Sequence, residues 1–376
     1  MVERFCLQGE GLGVRAVNDF NEDEGMRKTY RAALIGCGRM GATIDDEVRD
    51  HPHSYLWLPY SHAASVEACD RTDLVAVSDA FEEKAEAIRK RYHVPVYYTD
   101  YREMIKKEEL DIVCIATRPA THADMVVFAA EHGVKGIYCE KPLCCSMTEA
   151  DRMVAAVKAN GVKFNYGAQR RYTPLYHVAR KLAQGGELGK VQAIIAQFGA
   201  GAALWTMTHA ADLMLFLAGD PDVEYVQGTL SCGDQDWDGN RLKIDPGVVS
   251  GYVKFANGIH GYFTAGGGVE MEICGTEGKF RTNNNGVTCE LRKPGSVKGQ
   301  LEVVSAPGFD RASGTVQAIL DIVEALDTGR ETLGHIALAS RSQEMLMAIM
   351  ESHRQGGKRI VLPMENRNLT VGKEDW

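Results

Sequence analysis

Short apolar runs alternate with amphipathic stretches along the first part of the chain. Four runs have the length and continuous apolar character of strands buried on both faces: Tyr30–Ile35, Leu74–Asp79, Asp111–Ala116 and Gly136–Cys139. Apolar residues at helical spacing predict helices over Ala63–Cys69, Phe81–Tyr92, Tyr101–Lys107 and His122–His132. This alternation predicts an α/β fold with a doubly wound parallel sheet covered on both faces.

The pattern changes after about Val162. A helix over Pro174–Gln184 is followed by alternating strands over Val191–Phe198, Glu224–Leu230, Val248–Phe255, Ile259–Thr264, Glu270–Cys274 and Val287–Leu291. Asn257-Gly258 predicts a two-residue hairpin turn, because both residues tolerate positive φ. Late helices over 316–327 and 337–351 would provide packing, and Arg359–Leu362 reads as a last short strand.

These patterns divide the chain into three segments. Residues 1–29 form an N-terminal extension, residues 30–160 a dinucleotide-binding domain, and residues 161–376 an α+β domain on an open, mainly antiparallel sheet. We expect the second domain to bind substrate and to form a homodimer or homotetramer through the sheet face that helices leave open.

Composition narrows the class of partner. The 376 residues carry a formal charge of -9 without any run of lysine or arginine, which disfavours nucleic acid and anionic membranes and favours a small-molecule partner. Apolar stretches fall short of the roughly 20 residues that span a bilayer, and the start lacks a signal-peptide core, so we expect a cytoplasmic protein. The ten cysteines lack C-x-x-C spacing, so we predict no metal site.

A glycine pattern follows the first predicted strand. In Gly36-x-Gly38-x-x-Gly41 the first glycine permits a tight turn, the second lets a pyrophosphate approach the backbone, and the third lets helix and strand pack closely. Asp79 ends the second strand, where a carboxylate binds the adenosine ribose and repels a 2′-phosphate, so we predict NAD rather than NADP. The same side chain could instead cap the next helix.

Asp79 lies farther from Gly41 than the roughly 20 residues of the simple motif. We attribute the excess to an insertion around Thr43–Tyr60, which is rich in His, Tyr, Trp and acidic residues. This segment either forms a wall of the substrate cleft or reaches a neighbouring subunit. The alternative is that it is simply a surface loop.

Two further turns carry a resemblance to a known family. Glu140-Lys141-Pro142 follows the strand Gly136–Cys139, and Ala116-Thr117-Arg118-Pro119 with His122 follows the preceding strand. Over roughly residues 30–360 the chain resembles the Gfo/Idh/MocA family, the glucose-fructose oxidoreductase and inositol dehydrogenase group. The resemblance implies an N-terminal Rossmann domain and a C-terminal open antiparallel sheet. Together with the glycine pattern it implies these cofactor-binding residues: Gly36, Gly38, Arg39, Met40, Gly41, Asp79, Thr117, Arg118, Pro119, His122, Glu140, Lys141 and Gln169.

Lys141 is the first catalytic candidate. Oxidation of a secondary alcohol requires a proton to leave oxygen as hydride leaves carbon, and an ammonium group in a partly dry cleft has a lowered pKa. Lys141 could accept that proton, or stay charged and hold the carbinol oxygen. The plainer alternative is a surface lysine in a turn.

The second domain contributes the remaining candidates. The stretch Asn165–Pro174 resembles the family's strand that returns to the cleft, so Gln169, Arg170, Arg171 and Tyr172 are candidate ligands. At most one arginine is expected to be a ligand, since neighbours on a strand point to opposite faces, and Tyr172 could equally be core. We take Arg171 and Tyr172 as substrate residues.

A helix opening near Leu204 places His209 and Asp212 on one face. The family's motif has an Asp four positions before the catalytic His, and here that position is Trp205. We predict His209 as the second catalytic residue, Asp212 as a substrate-orienting residue and Trp205 as a stacking surface for a sugar ring. His209 could alternatively be structural, and Asp212 could simply solvate the helix.

These features predict an NAD-dependent oxidoreductase acting on a ring carbinol of a sugar, glycoside or cyclic polyol. Two alternatives remain open. One is an NAD-assisted glycosidase that oxidises a sugar transiently and releases its aglycone. The other is a regulatory protein that binds NAD without catalysis.

Overall fold

The computed structural model describes residues 28–372. The predicted N-terminal extension, residues 1–29, therefore lies outside the described residues except for its last two positions.

A six-stranded sheet occupies the first half of the chain. Its strands are Tyr30–Ile35 (β1), Thr72–Ser78 (β2), Val96–Tyr98 (β3), Ile112–Ile115 (β4), Gly136–Cys139 (β5) and Lys163–Tyr166 (β6). All pairs are parallel and the order is β3-β2-β1-β4-β5-β6. The order reverses at β1, so the loops after β1 and β4 diverge and leave a crevice at the carboxyl edge. The predicted doubly wound sheet is confirmed.

Alternate residues of β1 face two separate cores. Ala33 and Ile35 belong to the larger apolar cluster, whereas Ala32 and Leu34 belong to the smaller one on the opposite face. The helices of this half are Ile44–Val48 (α1), His62–Glu67 (α2), Glu82–Arg91 (α3), Tyr101–Lys107 (α4), Pro119–Glu131 (α5) and Met147–Ala159 (α6). Burial on both faces explains why these strands are continuously apolar.

The helix after the glycine turn begins earlier than predicted. A π-helical turn over Arg39–Thr43 leads directly into α1, and the expected helix over Ala63–Cys69 is the separate α2. The proposed insertion therefore starts as helix and contains one 3₁₀ turn, Ser54–Leu56. Asp45 holds its far end in place by accepting hydrogen bonds from the backbone of Tyr60 and Ser61 at 2.8 and 2.9 Å.

The second large sheet has nine strands among the described residues. They are Val191–Gln197 (β7), Val223–Leu230 (β8), Val248–Phe255 (β11), His260–Thr264 (β12), Glu270–Gly275 (β13), Gly278–Asn283 (β14), Thr288–Pro294 (β15), Leu301–Val304 (β16) and Ile360–Val361 (β17). The order is β16-β15-β14-β13-β7-β12-β11-β8-β17, and every pair is antiparallel except β7 with β12. The predicted mainly antiparallel sheet is confirmed.

A small sheet and four helices complete the described chain. The strands are Trp237–Asp238 (β9), Arg241–Leu242 (β10) and Thr370–Val371 (β18), and the helices are Pro174–Gln184 (α7), Met207–Ala218 (α8), Gly314–Thr328 (α9) and Ile336–Arg354 (α10). None of the helices within residues 28–372 is both long and apolar enough to cross a membrane.

The two halves share elements. Strand β6 pairs with β5 although it follows the predicted domain boundary after residue 160, so the first sheet runs past that boundary. Helix α9 returns late in the chain and packs Ile319 and Ile322 into the smaller core beside β4 and β5. Elements from both halves of the chain therefore pack around the first sheet.

The hairpin between β11 and β12 differs in detail from the prediction. Its loop has three residues, Ala256 to Gly258, closed by a hydrogen bond from the Phe255 amide to the Ile259 carbonyl at 3.1 Å. Of the predicted pair, Gly258 has positive φ (+89°) and Asn257 does not. A three-residue loop needs one left-handed position, which only the glycine supplies.

Candidate functional site

A cavity of about 870 Å³ opens at the carboxyl edge of the parallel sheet. Its wall combines the loops after β1, β2, β4 and β5 with the turn before α8. Ten of the sequence-predicted residues line it: Gly36, Gly38, Arg39, Met40, Asp79, Thr117, Arg118, Glu140, Lys141 and Trp205. The volume and position match a cleft at a topological switch point.

The glycine turn fits a dinucleotide pyrophosphate. Gly36 has φ +95°, and a β-carbon there would lie 2.7 Å from the Ala116 carbonyl oxygen. A β-carbon on Gly41 would collide with the carbonyl oxygen of Gly36, so this glycine serves close packing. A β-carbon on Gly38 would meet nothing within 4 Å, which leaves open space where a ligand can approach the backbone.

Asp79 binds two backbone amides, one in the glycine turn and one just before the next helix. Its Oδ2 accepts a hydrogen bond from the Cys37 amide at 2.8 Å, and its Oδ1 accepts one from the Phe81 amide at 3.0 Å. The carboxylate thus fixes the glycine turn and the start of the next helix. Each carboxylate oxygen has a second acceptor site, so two ribose hydroxyls can still donate to this group from the cavity.

Lys141 rests against Trp205. Its Nζ donates a hydrogen bond to the Trp205 carbonyl oxygen at 3.0 Å and lies 4.2 Å from the centre of the indole ring. Burial lowers the pKa of Lys141, the nearby Glu140 opposes this, and the cationic Arg170 and Arg39 lower it further. The site therefore favours the neutral amine more than water does.

Glu140 is held from two sides. Its Oε1 lies 3.0 Å from Nε2 of the fully buried His62, and its Oε2 accepts a hydrogen bond from the Lys141 amide at 3.0 Å. Burial raises the pKa of Glu140, but hydrogen bonding and charge from His62, with Lys141, more than offset that, so the net pKa is lowered. Sequence reasoning missed His62, which stands at the start of α2 without any motif around it.

His209 lies on the first turn of α8. Burial, with the positive charges of Arg170 and Lys141, holds its pKa well below the ordinary value. Its Nδ1 is buried without a hydrogen-bond partner among the described residues. The low pKa keeps this imidazole neutral near pH 7, and His209 does not itself line the cavity, so its role in proton transfer stays a prediction.

Arg171 and Asp212 are not substrate residues, contrary to the prediction. Both are at most 1% exposed. Nε and Nη2 of Arg171 donate hydrogen bonds to the Asp212 carboxylate at 2.9 to 3.1 Å. Nη1 of Arg171 also binds Asp220 at 2.9 Å. This ion pair joins the segment after β6 to α8 within the core, where a ligand has no access.

Arg170 is the arginine whose charge reaches the site, where it lowers the pKa of Lys141 and of His209. Its Nε and Nη2 donate to the Asn285 side-chain oxygen at 3.1 and 2.8 Å, and Nη1 has no hydrogen-bond partner among the described residues. We expected at most one of the two arginines to be a ligand and chose Arg171, but the structure buries Arg171 in an ion pair with Asp212. The two arginines lie in a 3₁₀ turn, Gln169–Tyr172, rather than on a strand.

Three other predicted residues are buried outside the cavity. Tyr172 is core, 3% exposed, and its hydroxyl donates to Asn165 Oδ1 at 2.5 Å. Gln169 is buried against Gly314, where a β-carbon would collide with the Gln169 backbone. His122 is fully buried, with Nδ1 2.9 Å from the Pro142 carbonyl and Nε2 3.2 Å from the Thr117 carbonyl.

His122 thus ties the turn after β4 to the turn after β5 instead of lining the cleft. Pro119 is likewise buried, as the first residue of α5, where its fixed φ suits the helix start. Both residues shape the cavity from behind.

Asp245 is a second residue that sequence reasoning missed. It lies in the loop between β10 and β11 and is 8% exposed. Its Oδ1 accepts a hydrogen bond from the Leu204 amide at 2.8 Å, and its Oδ2 accepts one from the Trp205 amide at 2.9 Å. Within residues 28–372, no three His, Cys, Asp or Glu side chains are grouped so that they could hold a metal ion.

Both halves of the chain match models of known protein families. Residues 30–168 match the family model described as "Oxidoreductase family, NAD-binding Rossmann fold", and residues 195–362 match "Oxidoreductase family, C-terminal alpha/beta domain". The first half is thus an NAD-binding Rossmann domain, as predicted.

Among curated relatives, scyllo-inositol 2-dehydrogenase (NAD(+)) of Bacillus subtilis is 32% identical over 166 residues, covering 44% of this chain and 43% of that enzyme. D-apiose dehydrogenase of Paraburkholderia graminis is 30% identical over 162 residues, covering 43% and 38%. The matches thus span less than half the length of these relatives.

Solved structures share the fold over most of the chain. Aldose-aldose oxidoreductase from Caulobacter crescentus, complexed with glycerol, is 17% identical with a TM-score of 0.71, covering 89% of this chain and all of that one. Levoglucosan dehydrogenase in complex with NADH and levoglucosan is 20% identical with a TM-score of 0.70, covering 90% and 100%. At this identity the likeness concerns the fold alone.

Proposed function

We propose that this chain, which belongs to the Gfo/Idh/MocA family of oxidoreductases, is an NAD-dependent dehydrogenase of a ring carbinol in a sugar, glycoside or cyclic polyol. The observation that carries the proposal is the position of Lys141, whose ammonium nitrogen lies in the dinucleotide cavity against Trp205. Bound NAD would supply the hydride acceptor.

The residues around Lys141 suit proton removal from an alcohol. Burial lowers the pKa of Lys141, so its amine can accept the carbinol proton near neutral pH more readily than an ordinary lysine. His209, also with a lowered pKa, is a second neutral acceptor close enough for the charge of Lys141 to affect it. We assign Lys141 as the proton acceptor and His209 as the relay.

Trp205 defines the kind of substrate. Its side chain is 40% exposed at the cavity wall, and an aromatic face packs well on the apolar side of a sugar or inositol ring. The names of the two curated relatives, a scyllo-inositol and an apiose dehydrogenase, agree with that class. Asp79 would favour NAD, because a carboxylate repels the 2′-phosphate of NADP.

The proposal includes an assembly through the open face of the nine-stranded sheet. Helix α10 packs on β8 from one side, whereas Tyr225, Tyr252 and Tyr262 form an aromatic cluster on the outward face, with ring centres 5.5 to 5.7 Å apart. An aromatic patch on a sheet face is a common protein interface. We infer a homodimer or homotetramer built on this face.

The test is a screen of the purified chain with NAD against monosaccharides, inositols and glycosides, following NADH absorbance. NADH formed in proportion to a ketone product supports the dehydrogenase. Release of free aglycone without net NADH would instead identify the NAD-assisted glycosidase, to which Trp205 in place of the family's acid also lends itself. Tight NAD binding without turnover of any substrate would identify the regulatory protein.

A further inference from the structure

We propose that Asp245 is the positioning carboxylate of this site: it fixes the turn on which Lys141 rests and places a negative charge beside the ammonium. The inference deepens the proposed function and rests on it for its kinetic readout. It gives a role to a buried acid that follows no motif and that the reaction scheme above leaves unused.

The first argument is geometric. Each oxygen of the Asp245 carboxylate accepts a hydrogen bond from one of two consecutive amides, those of Leu204 and Trp205, at 2.8 and 2.9 Å. These two hydrogen bonds hold the backbone of Leu204 and Trp205 in place. The carbonyl of Trp205 then accepts the hydrogen bond of the Lys141 ammonium at 3.0 Å. Asp245 therefore acts on Lys141 through the Trp205 backbone.

The loop around Asp245 is itself anchored to this turn. The Ala203 amide donates to the Pro246 carbonyl at 2.8 Å, and the Val248 amide donates to the Gly201 carbonyl at 3.0 Å. A β-carbon on Gly247 would lie 2.5 Å from the Ala200 carbonyl oxygen, so the two segments are in close contact. The placement of the carboxylate is thus rigid, as a positioning group requires.

The second argument concerns charge. Lys141 faces the carboxylate of Glu140 on its own turn, Arg39 from the glycine turn, Arg170 from the segment after β6, and Asp245 from the β10–β11 loop. His209 on α8 is neutral near pH 7, because its pKa is held well below its usual value. Glu140 has the larger effect on the pKa of Lys141 but also binds His62, and Asp245 is a second acid that opposes the charges of Arg170 and Arg39.

Position 205 explains why such a group is needed. An indole offers no charge and no hydrogen-bond acceptor for a proton, so the side chain of Trp205 cannot hold a charged Lys141 by ion pairing. Asp245 supplies the negative charge, while the carbonyl and the ring of Trp205 contact the Lys141 ammonium. Removing that charge lowers the pKa of Lys141, since Asp245 raises it.

The test compares Asp245→Asn with the wild type and with Asp238→Asn, which alters an exposed acid on β9. Acetylation of Lys141 by acetic anhydride, quantified by mass spectrometry across pH, reports the pKa of Lys141 without any need for turnover. We expect Asp245→Asn to lower this pKa and to shift the acid limb of the kcat profile to lower pH. We also expect kcat to fall by roughly 10- to 100-fold because Lys141 is displaced, with NAD affinity unchanged.

The proposal would be overturned if Asp245→Asn showed the acetylation profile and kinetics of the wild type. It would also be overturned if Asp238→Asn changed both properties as much as Asp245→Asn does. A wild type inactive on every substrate would refute the proposed function, while the acetylation profile would still decide the role of Asp245. If Asp245→Asn does not fold, amide hydrogen exchange of the wild type decides instead. Slow exchange at Leu204 and Trp205 supports the proposal, and fast exchange at both would contradict it.

Discussion

Neighbouring residues of one turn can have opposite roles, as Arg170 and Arg171 do. Arg171 points into the core and binds Asp212, while Arg170 binds Asn285 and its charge affects Lys141. The sequence indicated that at most one of the two arginines is a ligand. It could not tell which one, because a 3₁₀ turn does not alternate faces as a strand does. Asp212 on α8 and Asp220 just after that helix both bind Arg171 and thereby decide which arginine is buried.

This assignment predicts a stability effect. Asp212→Asn leaves the Arg171 charge buried with a weakened partner, so we expect a loss of about 3 to 5 kcal/mol in the free energy of unfolding. Urea denaturation monitored by circular dichroism measures it. The matched control is Asp222→Asn, which alters an exposed pair with Arg341 and should change stability by about 1 kcal/mol or less. Equal losses in the two variants would argue against a structural role for Asp212.

The lowered pKa of Lys141 predicts a pH dependence. The protonated ammonium cannot accept the carbinol proton, so kcat should be low at acid pH and rise as pH increases through the pKa of Lys141. Because burial lowers that pKa, the rise should come well before the pH at which an ordinary lysine deprotonates. The measurement is kcat at saturating substrate across pH. A flat acid side would rule out Lys141 as the base.

The glycine turn illustrates how one element combines a structural and a binding requirement. Gly41 is packed against the Gly36 carbonyl, whereas the space beside Gly38 is open. We predict that Gly38→Ala folds like the wild type but binds NAD about tenfold or more weakly, because the methyl group occupies the pyrophosphate position. Titration calorimetry measures the affinity and thermal melting the stability.

Gly41→Ala is the informative companion variant. Its methyl group would collide with a backbone carbonyl, so we expect a loss of thermal stability that Gly38→Ala does not cause. If both variants melted like the wild type and bound NAD equally well, the turn would not be the dinucleotide cradle.

Elements with a clear apolar pattern were predicted with the bounds that the structure shows, whereas several others were missed. Helices α4 and α7 and strands β1, β5 and β11 have the predicted bounds, since a continuous apolar run or a helical stripe defines them. Strand β3, Val96–Tyr98, was missed because three half-buried residues at a sheet edge carry almost no periodic signal. Helix α6 was also missed, although its Ser146 and Glu149 form a capping box.

The site was predictable where a local motif marks it. The glycine turn, Asp79 and the Glu140-Lys141 pair follow strands directly, so their position at the carboxyl edge follows from the fold. His62 at the start of α2 and Asp245 in the β10–β11 loop reach the site from positions distant in sequence from its motifs. Such partners depend on tertiary packing, which local spacing does not encode.

At the scale of the whole molecule, the open sheet face predicts self-association. Tyr252→Glu puts a charge among the aromatic rings of Tyr225 and Tyr262, and we expect it to shift a dimer or tetramer toward the monomer. Sedimentation velocity of the wild type and the variant measures the change. The control is Val297→Glu, which puts the same charge at an exposed position between β15 and β16, at the other end of the same sheet. A wild type that is monomeric at every concentration would refute the interface.

The central claim joins both halves of the molecule at Lys141, and one comparison tests it most directly. Wild-type protein and Lys141→Ala are assayed for NADH formation with the best substrate of the screen, and for NAD affinity by calorimetry, with Lys158→Ala on α6 as the exposed control. We predict that Lys141→Ala lowers kcat by roughly 10²- to 10⁴-fold while NAD binds as in the wild type. A folded Lys141→Ala protein that retains wild-type turnover would contradict the account.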